Sequence, residues 1–335
     1  MPVRDGERFL AEAIDSILGQ TLTDFELIVV DDGSADRSAE IANTVQERDG
    51  RVRVHSQARL GLCAGLNAAA GLAAAPLLAR LDADDIALPD RLERQVAFLD
   101  RHPGVAVVGG GVIMVDEAGR ELDREPGRED PDLSEGNPLW HSTVVIRAEA
   151  FREAGGYRLY PAEDYDLWLR IEERYRLAAV PQLVVGYRIH AGQVSFRRLE
   201  QQAATTLAVR AAAEARRRGM PDPLAGVERV DARVLARLGI GSGAIETAVV
   251  GAALAWGASM ARAGRTGDAD NLLREVAGRP GAPSLRSLRR SVELALAKRA
   301  AYRRRPGEAV WRSLRAGWIT ATDRSFGQPS GPGPP

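Results

Sequence analysis

The chain contains very little cysteine, lysine or aromatic residue. Cys63 is the only cysteine among the 335 residues, so no disulfide can form within the chain. No histidine or acid pattern lies near Cys63 in the sequence, and we therefore predict a small buried side chain rather than a nucleophile. Lys298 is the single lysine, and the formal net charge is −1. A chain with this charge has no overall basic field that would attract nucleic acid or anionic lipid.

Long hydrophobic runs are also lacking. No run of about 18 apolar residues is present, and the longest apolar stretch, at 248–258, contains Gly251 and Gly257. We therefore expect no membrane span. The first residues show no basic segment followed by an apolar one, so we expect no signal peptide. These absences favour a cytoplasmic protein, with peripheral association at the inner membrane surface left open.

Helical and strand-like segments alternate over residues 1–196. The run FELIVVDDGS at 25–34 is β-rich, whereas SAEIANTVQERD at 38–49 has helical spacing. A second strand-like run, at 76–85, is again followed by a helical pattern. We predict an α/β domain with a doubly wound sheet that is mixed but mostly parallel and is flanked by helices. Residues 120–140 are polar and rich in Pro and Gly, which predicts a loop, and the run STVVIR at 142–147 predicts a strand.

The composition changes after about residue 197, where alanine and arginine dominate. We predict an α-helical extension over 197–326 and a disordered tail over 327–335, which consists largely of Gly and Pro. The segments 255–276 and 300–318 each read as a helix, a glycine turn and a second helix. They suggest helical-hairpin repeats of the tetratricopeptide type, although that signature is weak here.

Acidic residues follow two of the predicted strands: Asp31 and Asp32 after the first, and Asp82, Asp84 and Asp85 after the second. In sheets of this class, ligands bind at the carboxyl ends of strands. Carboxylate oxygens suit a hard cation such as Mg²⁺ or Mn²⁺, and a metal held by few carboxylates keeps positions for phosphate oxygens. Both clusters are equally compatible with solvated turns that cap the next helix. The residues alone leave both interpretations open.

Several segments over residues 1–196 together resemble the family 2 glycosyltransferases. They are PVRDGERFLAEAIDSILGQT with FELIVVDDGSAD, LGLCAGLNAAAG, LDADDIALPDRLERQVAFLDRHPGVAVVG, HSTVVIR with FREAGGYR and AEDYDLWLRI, and YRIHAGQVS. Each fragment is weakly specific, whereas their common order and spacing are specific. The resemblance implies a GT-A fold, a nucleotide-sugar donor, a divalent metal and inversion at the anomeric carbon.

The resemblance also implies roles for individual residues. Asp84 and His190 resemble metal-binding positions for Mn²⁺ or Mg²⁺, and Asp164 resembles the catalytic base. The donor-binding positions are Val3, Arg4, Asp32, Asp82 and Ala83. The supporting positions are Asp85, Glu163 and His141. From the residues alone, Glu163 and Asp164 are also explained as helix N-terminal charges, and His190 as a loop histidine.

The expected partners follow from the same resemblance. The donor would be a UDP-, GDP- or dTDP-sugar, and the acceptor would be a hydroxyl of a glycan or of a lipid-linked molecule. Aromatic side chains pack on sugar faces, so Trp140, Tyr165 and Trp168 are candidates for an acceptor platform, although the helical spacing of Trp168 from Tyr165 favours core packing for Trp168. For Arg188 the sequence leaves two roles open, a phosphate contact and a structural ion pair.

The chain departs from the family pattern at its start. The apolar strand that normally precedes Pro2 is truncated at Met1, and we expect four to eight further apolar residues to precede it, about one strand length. Arg4 and Asp5 stand where the family has Tyr-Asn or a similar pair, which leaves the choice of donor base open.

Two other functions remain as alternatives. One is a sugar-1-phosphate nucleotidylyltransferase, which would need a glycine-rich basic loop after the first strand that PVRDGERF does not supply. The other is a non-catalytic interaction protein built around the helical extension.

Overall fold

The computed structural model describes residues 1–134, 136–190, 198–279 and 282–303, with side chains as far as residue 296. The chain divides into two compact units, Met1–Ile245 and Glu246–Pro335.

The first unit begins with a three-stranded parallel sheet in the order β1-β2-β3. Its strands and the helices that follow each of them are β1 (Pro2–Val3), α1 (Leu10–Leu18), β2 (Leu27–Asp31), α2 (Ser38–Arg48), β3 (Val52–Ser56) and α3 (Leu62–Leu72). Every residue of β2 is buried, as its nearly continuous apolar run predicts for a strand covered on both faces. The parallel order places the end of β1 beside the end of β2, with Val3 opposite Asp31.

The first strand consists of two residues that are fully paired with β2. The amino group of Met1 donates to the carbonyl of Ile28 at 2.8 Å, and the Asp32 N–H donates to the carbonyl of Val3 at 2.9 Å. Burial lowers the pKa of the Met1 amino group to about 5. β1 lies at one edge of its sheet and pairs with β2.

A second, mixed sheet has the order β4-β8-β6-β9-β5, and β7 also pairs with β6. Its strands and helices are β4 (Leu77–Ala79), β5 (Ile86–Ala87), α4 (Arg91–Arg101), β6 (Val105–Val115), β7 (Glu121–Glu125), β8 (Val145–Arg147), α5 (Ala148–Glu153), α6 (Glu163–Ile171) and β9 (Arg176–Arg188). Only the pair of β6 with β9 is parallel in this sheet among the described strands. A mixed sheet is confirmed, but its antiparallel share is larger than predicted, because β4 pairs antiparallel with β8, β5 with β9, and β6 with both β7 and β8.

Two local predictions differ from the structure. The segment 120–140 is not a loop throughout, because β7 pairs antiparallel with β6 at its start. The segment 142–147 is not one strand, because His141–Thr143 form a 3₁₀ turn before β8 begins. Both differences come from tertiary pairing that a polar composition or an apolar run does not reveal.

The first unit extends beyond the predicted boundary at residue 196. Helices α7 (Leu199–Arg217) and α8 (Ala232–Arg237) belong to it. Ala208, Val209 and Ala212 on α7 are fully buried, and they join the same core cluster as Trp168. Burial of this alanine-rich face against the sheet domain explains why the unit ends at Ile245.

The described part of the second unit is helical, as predicted. It contains most of α9 (Ser242–Arg262), then α10 (Thr266–Ala277) and α11 (Leu285–Arg303). Gly264, with φ +70°, forms the predicted turn between α9 and α10. The second predicted hairpin, at 300–318, and the tail at 327–335 lie outside the described residues except for 300–303.

By length and composition alone, helix α9 could cross a membrane. It is the one helix among the described residues that passes this test. It contains the apolar stretch at 248–258, which by itself is too short to span a membrane. A third of its apolar window is buried within the protein, and a core helix passes the same test, so α9 is weak evidence for a span.

A buried polar pair on α4 joins the strands of the second sheet. Arg91 and Gln95 are both fully buried. Arg91 Nη2 donates to the carbonyl of Arg80 at 2.5 Å, and Gln95 Nε2 donates to the carbonyls of Val108 and Thr143 at 3.0 and 2.8 Å. Buried backbone carbonyls need partners, so this pair fixes the backbone of β6 and of the segments next to β4 and β8.

We expect Gln95→Leu to destabilise the protein by about 2 to 3 kcal/mol, because the substitution leaves buried carbonyls without their donor. Urea denaturation would measure the change in the free energy of unfolding. The matched control is Gln182→Leu on the exposed part of β9, which should change it by less than about 0.5 kcal/mol. Equal effects of the two substitutions would contradict the role assigned to Gln95.

Candidate active site

The three acids of the sequence motif lie on one turn between β4 and β5. The Asp85 N–H donates to the carbonyl of Asp82 at 3.3 Å, which closes the turn. One carboxylate oxygen from each of Asp82, Asp84 and Asp85 lies within 4.8 Å of the others. Carboxylates this close repel, so each needs a partner or a cation.

Asp82 is paired with an arginine two residues earlier. Both of its carboxylate oxygens accept hydrogen bonds from the guanidinium of Arg80, whose side chain is 6% exposed. Ser142 Oγ donates to Asp82 at 3.1 Å and itself accepts from Arg80 at 2.8 Å. Asp82 is therefore largely neutralised by the protein.

Asp84 and Asp85 have different partners. Asp84 Oδ2 lies 2.9 Å from Nε2 of His190, and its side chain is 32% exposed. Asp85 is 1% exposed and accepts the backbone N–H of Arg188 through Oδ1 at 2.8 Å. Burial, and then the charges of Asp84 and Asp82, raise the pKa of Asp85 well above its usual range. The side chains of Asp82 and Asp84 are about equally exposed, at 33% and 32%, but both oxygens of Asp82 are held by Arg80, so Asp84 is the better placed of the two to meet a ligand.

Arg188 supports the turn from the end of β9. Its Nε donates to the carbonyl of Asp84 at 2.8 Å, and Nη2 donates to Glu12 at 2.6 Å. The guanidinium also lies 4.6 Å from the ring centre of Phe9, and the side chain is 1% exposed. Of the two roles that the sequence left open, the structure thus supports the structural one.

The ligand atoms that the acid turn offers fit a hard divalent cation. All three acids supply oxygen, and Oδ2 of Asp85 has no hydrogen-bond partner within the part of the chain that is described. Asp84 as the principal ligand and Asp85 as its support stay predictions. His190 contacts Asp84 directly through a hydrogen bond, so its predicted role as a second metal ligand stays a prediction.

The predicted donor-side residues surround the ends of β1 and β2. Val3 is buried in β1, and Arg4 follows it with a 36% exposed side chain. Asp32 is buried and accepts the backbone N–H groups of Leu60 and Gly61 at 2.8 and 2.9 Å. Its carboxylate therefore anchors the loop before α3. A contact from Asp32 to the nucleotide-sugar donor would be made by a carboxylate that already accepts these two hydrogen bonds. Ala83 is half-buried within the acid turn.

The predicted base lies at the start of α6. Asp164 accepts the Tyr165 N–H through Oδ1 at 2.7 Å and Nδ2 of Asn137 through Oδ2 at 2.6 Å. Burial raises the pKa of Asp164, and these hydrogen bonds together with the charge of Arg80 oppose the increase. The carboxylate has protein donors but keeps further lone pairs for a ligand hydroxyl.

Glu163 and His141 lie beside Asp164 and are buried. His141 Nδ1 is 3.8 Å from Glu163 Oε1, and His141 Nε2 is 2.9 Å from the hydroxyl of Tyr157. Burial and the nearby Asp164 carboxylate raise the pKa of Glu163 to about 8. Burial and the charge of Arg80 lower the pKa of His141 well below its usual range. Both supporting residues therefore favour their neutral forms at pH 7.

The proposed aromatic platform does not form. Tyr165 and Trp168 are 2% and 0% exposed and belong to the core, because the inner face of α6 packs against α7. Trp140 is half-buried, and its ring centre lies 4.8 Å from that of Tyr187. The platform interpretation was therefore wrong for Tyr165, and the core packing that the sequence favours for Trp168 is confirmed.

Comparison with known proteins identifies the family. A family model described as Glycosyl transferase family 2 matches residues 1–152. The amylovoran biosynthesis glycosyltransferase AmsE of Erwinia amylovora is 34% identical over 197 residues, which cover 56% of this chain and 74% of AmsE. The O-antigen biosynthesis glycosyltransferase WbnJ of Escherichia coli is 32% identical over 202 residues, which cover 57% of this chain and 78% of WbnJ. The chain belongs to glycosyl transferase family 2.

Other relatives are matched over a smaller share of their length. The putative glycosyltransferase EpsE of Bacillus subtilis (strain 168) is 39% identical over 185 residues, which cover 52% of this chain and 66% of EpsE. An uncharacterized glycosyltransferase of Haemophilus influenzae is 31% identical over 212 residues, which cover 57% of this chain and 64% of that protein. The similarity to both thus spans slightly less than two thirds of their length.

A solved structure shares the fold of this family 2 glycosyltransferase. The mannosyltransferase PcManGT from Pyrobaculum calidifontis, in complex with GDP-Man and Mn²⁺, superposes with a TM-score of 0.50 at 18% identity. The superposition covers 96% of this chain and 84% of PcManGT. The predicted α/β fold class of the GT-A type is confirmed.

Several residues of the glycosyltransferase site were missed in the sequence. Arg80 was detectable, because a charge inside the apolar run PLLARL indicates a buried partner. Ser142, Tyr157 and Asn137 carry no such signal, since each is an ordinary polar residue in a loop or turn. Arg80 lies within electrostatic reach of Asp82, His141 and Asp164 and so connects the two sides of the site.

We expect Glu163→Gln to change how the stability of the glycosyltransferase depends on pH. The usual pKa of this carboxyl is 4.5, and in the folded protein it is about 8. Between these values the folded state binds the extra proton, so the stabilising contribution is full below about pH 4.5 and is lost as the pH rises to about 8. Glutamine resembles the protonated acid and does not titrate.

Urea denaturation in EDTA at several pH values between 5 and 7.5 would measure this effect. The free energy of unfolding of the wild type should fall with pH by up to about 1.4 kcal/mol per pH unit relative to Glu163→Gln. Glu149→Gln, at an exposed position of α5, is the control and should follow the wild type. Parallel curves for the wild type and Glu163→Gln would show that Glu163 is not held protonated.

Proposed function

We propose that this glycosyltransferase moves a sugar from a nucleoside-diphosphate donor to an acceptor hydroxyl, with inversion and with help from a divalent metal. The observation that carries the proposal is that two acidic sites lie on separate elements, each within electrostatic reach of Arg80. Asp82, Asp84 and Asp85 form a candidate metal site, whereas Asp164 lies on another element and has hydrogen-bond donors of its own. Inverting transfer requires this division between leaving-group stabilisation and base catalysis.

The donor is assigned to the face formed by the ends of β1 and β2 and by the acid turn. Val3, Arg4, Asp32, Asp82 and Ala83 surround this face. The fold shared with PcManGT, whose complex contains GDP-Man and Mn²⁺, supports a nucleotide-sugar donor and a divalent cation. UDP-, GDP- and dTDP-sugars all remain candidate donors, and Mn²⁺ and Mg²⁺ both suit the oxygen ligands.

Asp84 and Asp85 would hold the cation, with His190 hydrogen-bonded to Asp84. When bound, such a cation stabilises the negative charge that develops on the departing diphosphate. The chain supplies the position of the ligands. Arg80 restrains Asp82, and Arg188 donates from its side chain to the carbonyl of Asp84 and from its backbone N–H to the carboxylate of Asp85. These contacts fix the acid turn before any ligand arrives, which avoids reorganisation during the reaction.

Asp164 is assigned as the base. Its carboxylate accepts the proton of the acceptor hydroxyl as that oxygen forms a bond to the anomeric carbon. The bond between the anomeric carbon and the diphosphate oxygen breaks on the opposite side, and its electron pair leaves with the nucleoside diphosphate. Attack opposite the leaving group inverts the anomeric configuration. Glu163 and His141, which favour neutral forms, place no competing charge beside the base at pH 7.

A glycan or lipid-linked acceptor belongs to the same proposal. Its support is the similarity to relatives named for amylovoran and O-antigen biosynthesis, which are envelope polysaccharides. We accordingly infer action in the cytoplasm, at the inner membrane surface where such acceptors are built. The nucleotidylyltransferase and the non-catalytic protein have no observation in the described residues that favours them.

We expect Asp164→Asn to lower kcat by about 10²- to 10⁴-fold, because the amide cannot accept the hydroxyl proton. Release of nucleoside diphosphate from a panel of UDP-, GDP- and dTDP-sugars with a mixed glycan acceptor would measure transfer. Asp100→Asn, an exposed acid on α4, is the matched control and should retain the wild-type rate. Full activity of Asp164→Asn would refute the assignment of the base.

We expect Asp84→Asn to weaken binding of Mn²⁺ by at least about tenfold, because an amide is a poorer ligand for a hard cation than a carboxylate. Electron paramagnetic resonance of free Mn²⁺ during a titration with protein and nucleoside diphosphate would measure the affinity without turnover. Asp100→Asn again serves as the control. If Asp84→Asn and the wild type bound Mn²⁺ equally, the acid turn would not be the metal site.

EDTA should abolish transfer, and added Mn²⁺ or Mg²⁺ should restore it.

A further inference from the structure

Asn137 makes a contact with the proposed base that no sequence motif reveals. Its Nδ2 donates to Oδ2 of Asp164 at 2.6 Å, across 27 residues of sequence. Its Oδ1 accepts the backbone N–H of Leu139 at 3.2 Å. Hydrogen bonds to an ionised acceptor are short and strong, and this one lies at the short end of the range. Asn137 therefore contacts the group proposed to react, although it lies in a polar loop.

The two bonds of Asn137 fix which way its amide points. Rotating the amide by 180° would place the NH₂ group against the Leu139 N–H and the carbonyl oxygen against the Asp164 carboxylate. Both contacts would then be repulsive, since donors would face donors and acceptors would face acceptors. The arrangement thus gives Asp164 a donor of defined orientation.

The loop that carries Asn137 is anchored on both sides of it. Leu133 and Leu139 are 1% and 6% exposed and pack in the core, whereas Asn137 itself is exposed. The hydroxyl of Tyr165 donates to the carbonyl of Leu133 at 2.6 Å, so α6 binds the loop next to the base. Because the anchors restrain the backbone, the Asn137 side chain reaches Asp164 at a low cost in conformational entropy.

The electrostatic surroundings of Asp164 make such a donor important. Glu163, Cys63 and Tyr157 interact with Asp164 from α6, from α3 and from the segment before α6. Arg80 supplies the positive charge on the other side, and His141 is held neutral by burial and by Arg80. Since burial opposes ionisation of Asp164, the donors at its two oxygens favour the carboxylate form that a base requires.

We propose that Asn137 is a positioning residue that holds the Asp164 carboxylate in its reactive orientation and connects the loop that carries Asn137 to the base. The proposal rests on the proposed function, because it assumes that Asp164 removes the acceptor proton.

The test compares Asn137→Ala and Asn137→Asp with the wild type. Single-turnover transfer rates at saturating donor would be measured from pH 5 to 9. Asn137→Ala should lower the rate about tenfold at pH 6 and shift its acidic limb upward by about one pH unit, because the carboxylate loses a donor. Asn137→Asp should shift the limb at least as far, since a second carboxylate repels the first. The KM for the donor should change less than twofold.

Asn271→Ala, at an exposed position of α10, is the matched control and should leave the pH profile unchanged. Thermal denaturation of each variant would show that the fold is retained. An acidic limb at the wild-type pH in both Asn137 variants, with Asp164→Asn inactive, would overturn the role of Asn137 alone. Full activity of Asp164→Asn would instead overturn the proposed base and, with it, this inference.

Discussion

Three carboxylates within 4.8 Å of one another are unfavourable, and the arrangement of this site depends on how that repulsion is balanced. Each acid has a partner of a different kind. Asp82 has the guanidinium of Arg80, Asp84 has an imidazole, and Asp85 has a backbone N–H in a buried setting. The cluster is therefore stable enough to exist while the half-buried Asp84 carboxylate remains available to a cation.

The partners of the acid turn come from distant parts of the chain. Arg188 and His190 lie at the end of β9, more than a hundred residues after the turn, and Ser142 lies in the 3₁₀ turn before β8. The antiparallel pairings of β4 with β8 and of β5 with β9 bring these residues to the turn. The second sheet must therefore be assembled before the candidate metal site exists, which couples stability of the sheet to the chemistry.

Sequence patterns correctly predicted the elements that follow from local signals. They failed for elements whose structure depends on contacts between residues that are remote in the sequence. The buried run of β2, the turn at Gly264 and the helix that begins at Glu163 follow from apolar periodicity, glycine and helix-start signals. The strand β7 was missed because its polar sequence forms a strand only by pairing with β6. The end of the first unit was misplaced because an alanine-rich helix gives no sign of which surface covers it.

The sequence by itself determined the family, the two acidic motifs and the identity of the candidate ligands and base, since these are carried by residue type, order and spacing. Only the tertiary structure decided their roles within the site. It assigned Arg188 to support of the acid turn, placed Tyr165 and Trp168 in the core, and brought Asn137 to Asp164. The physical reason is that burial and hydrogen-bond geometry depend on neighbours that are remote in sequence, so no local pattern encodes them.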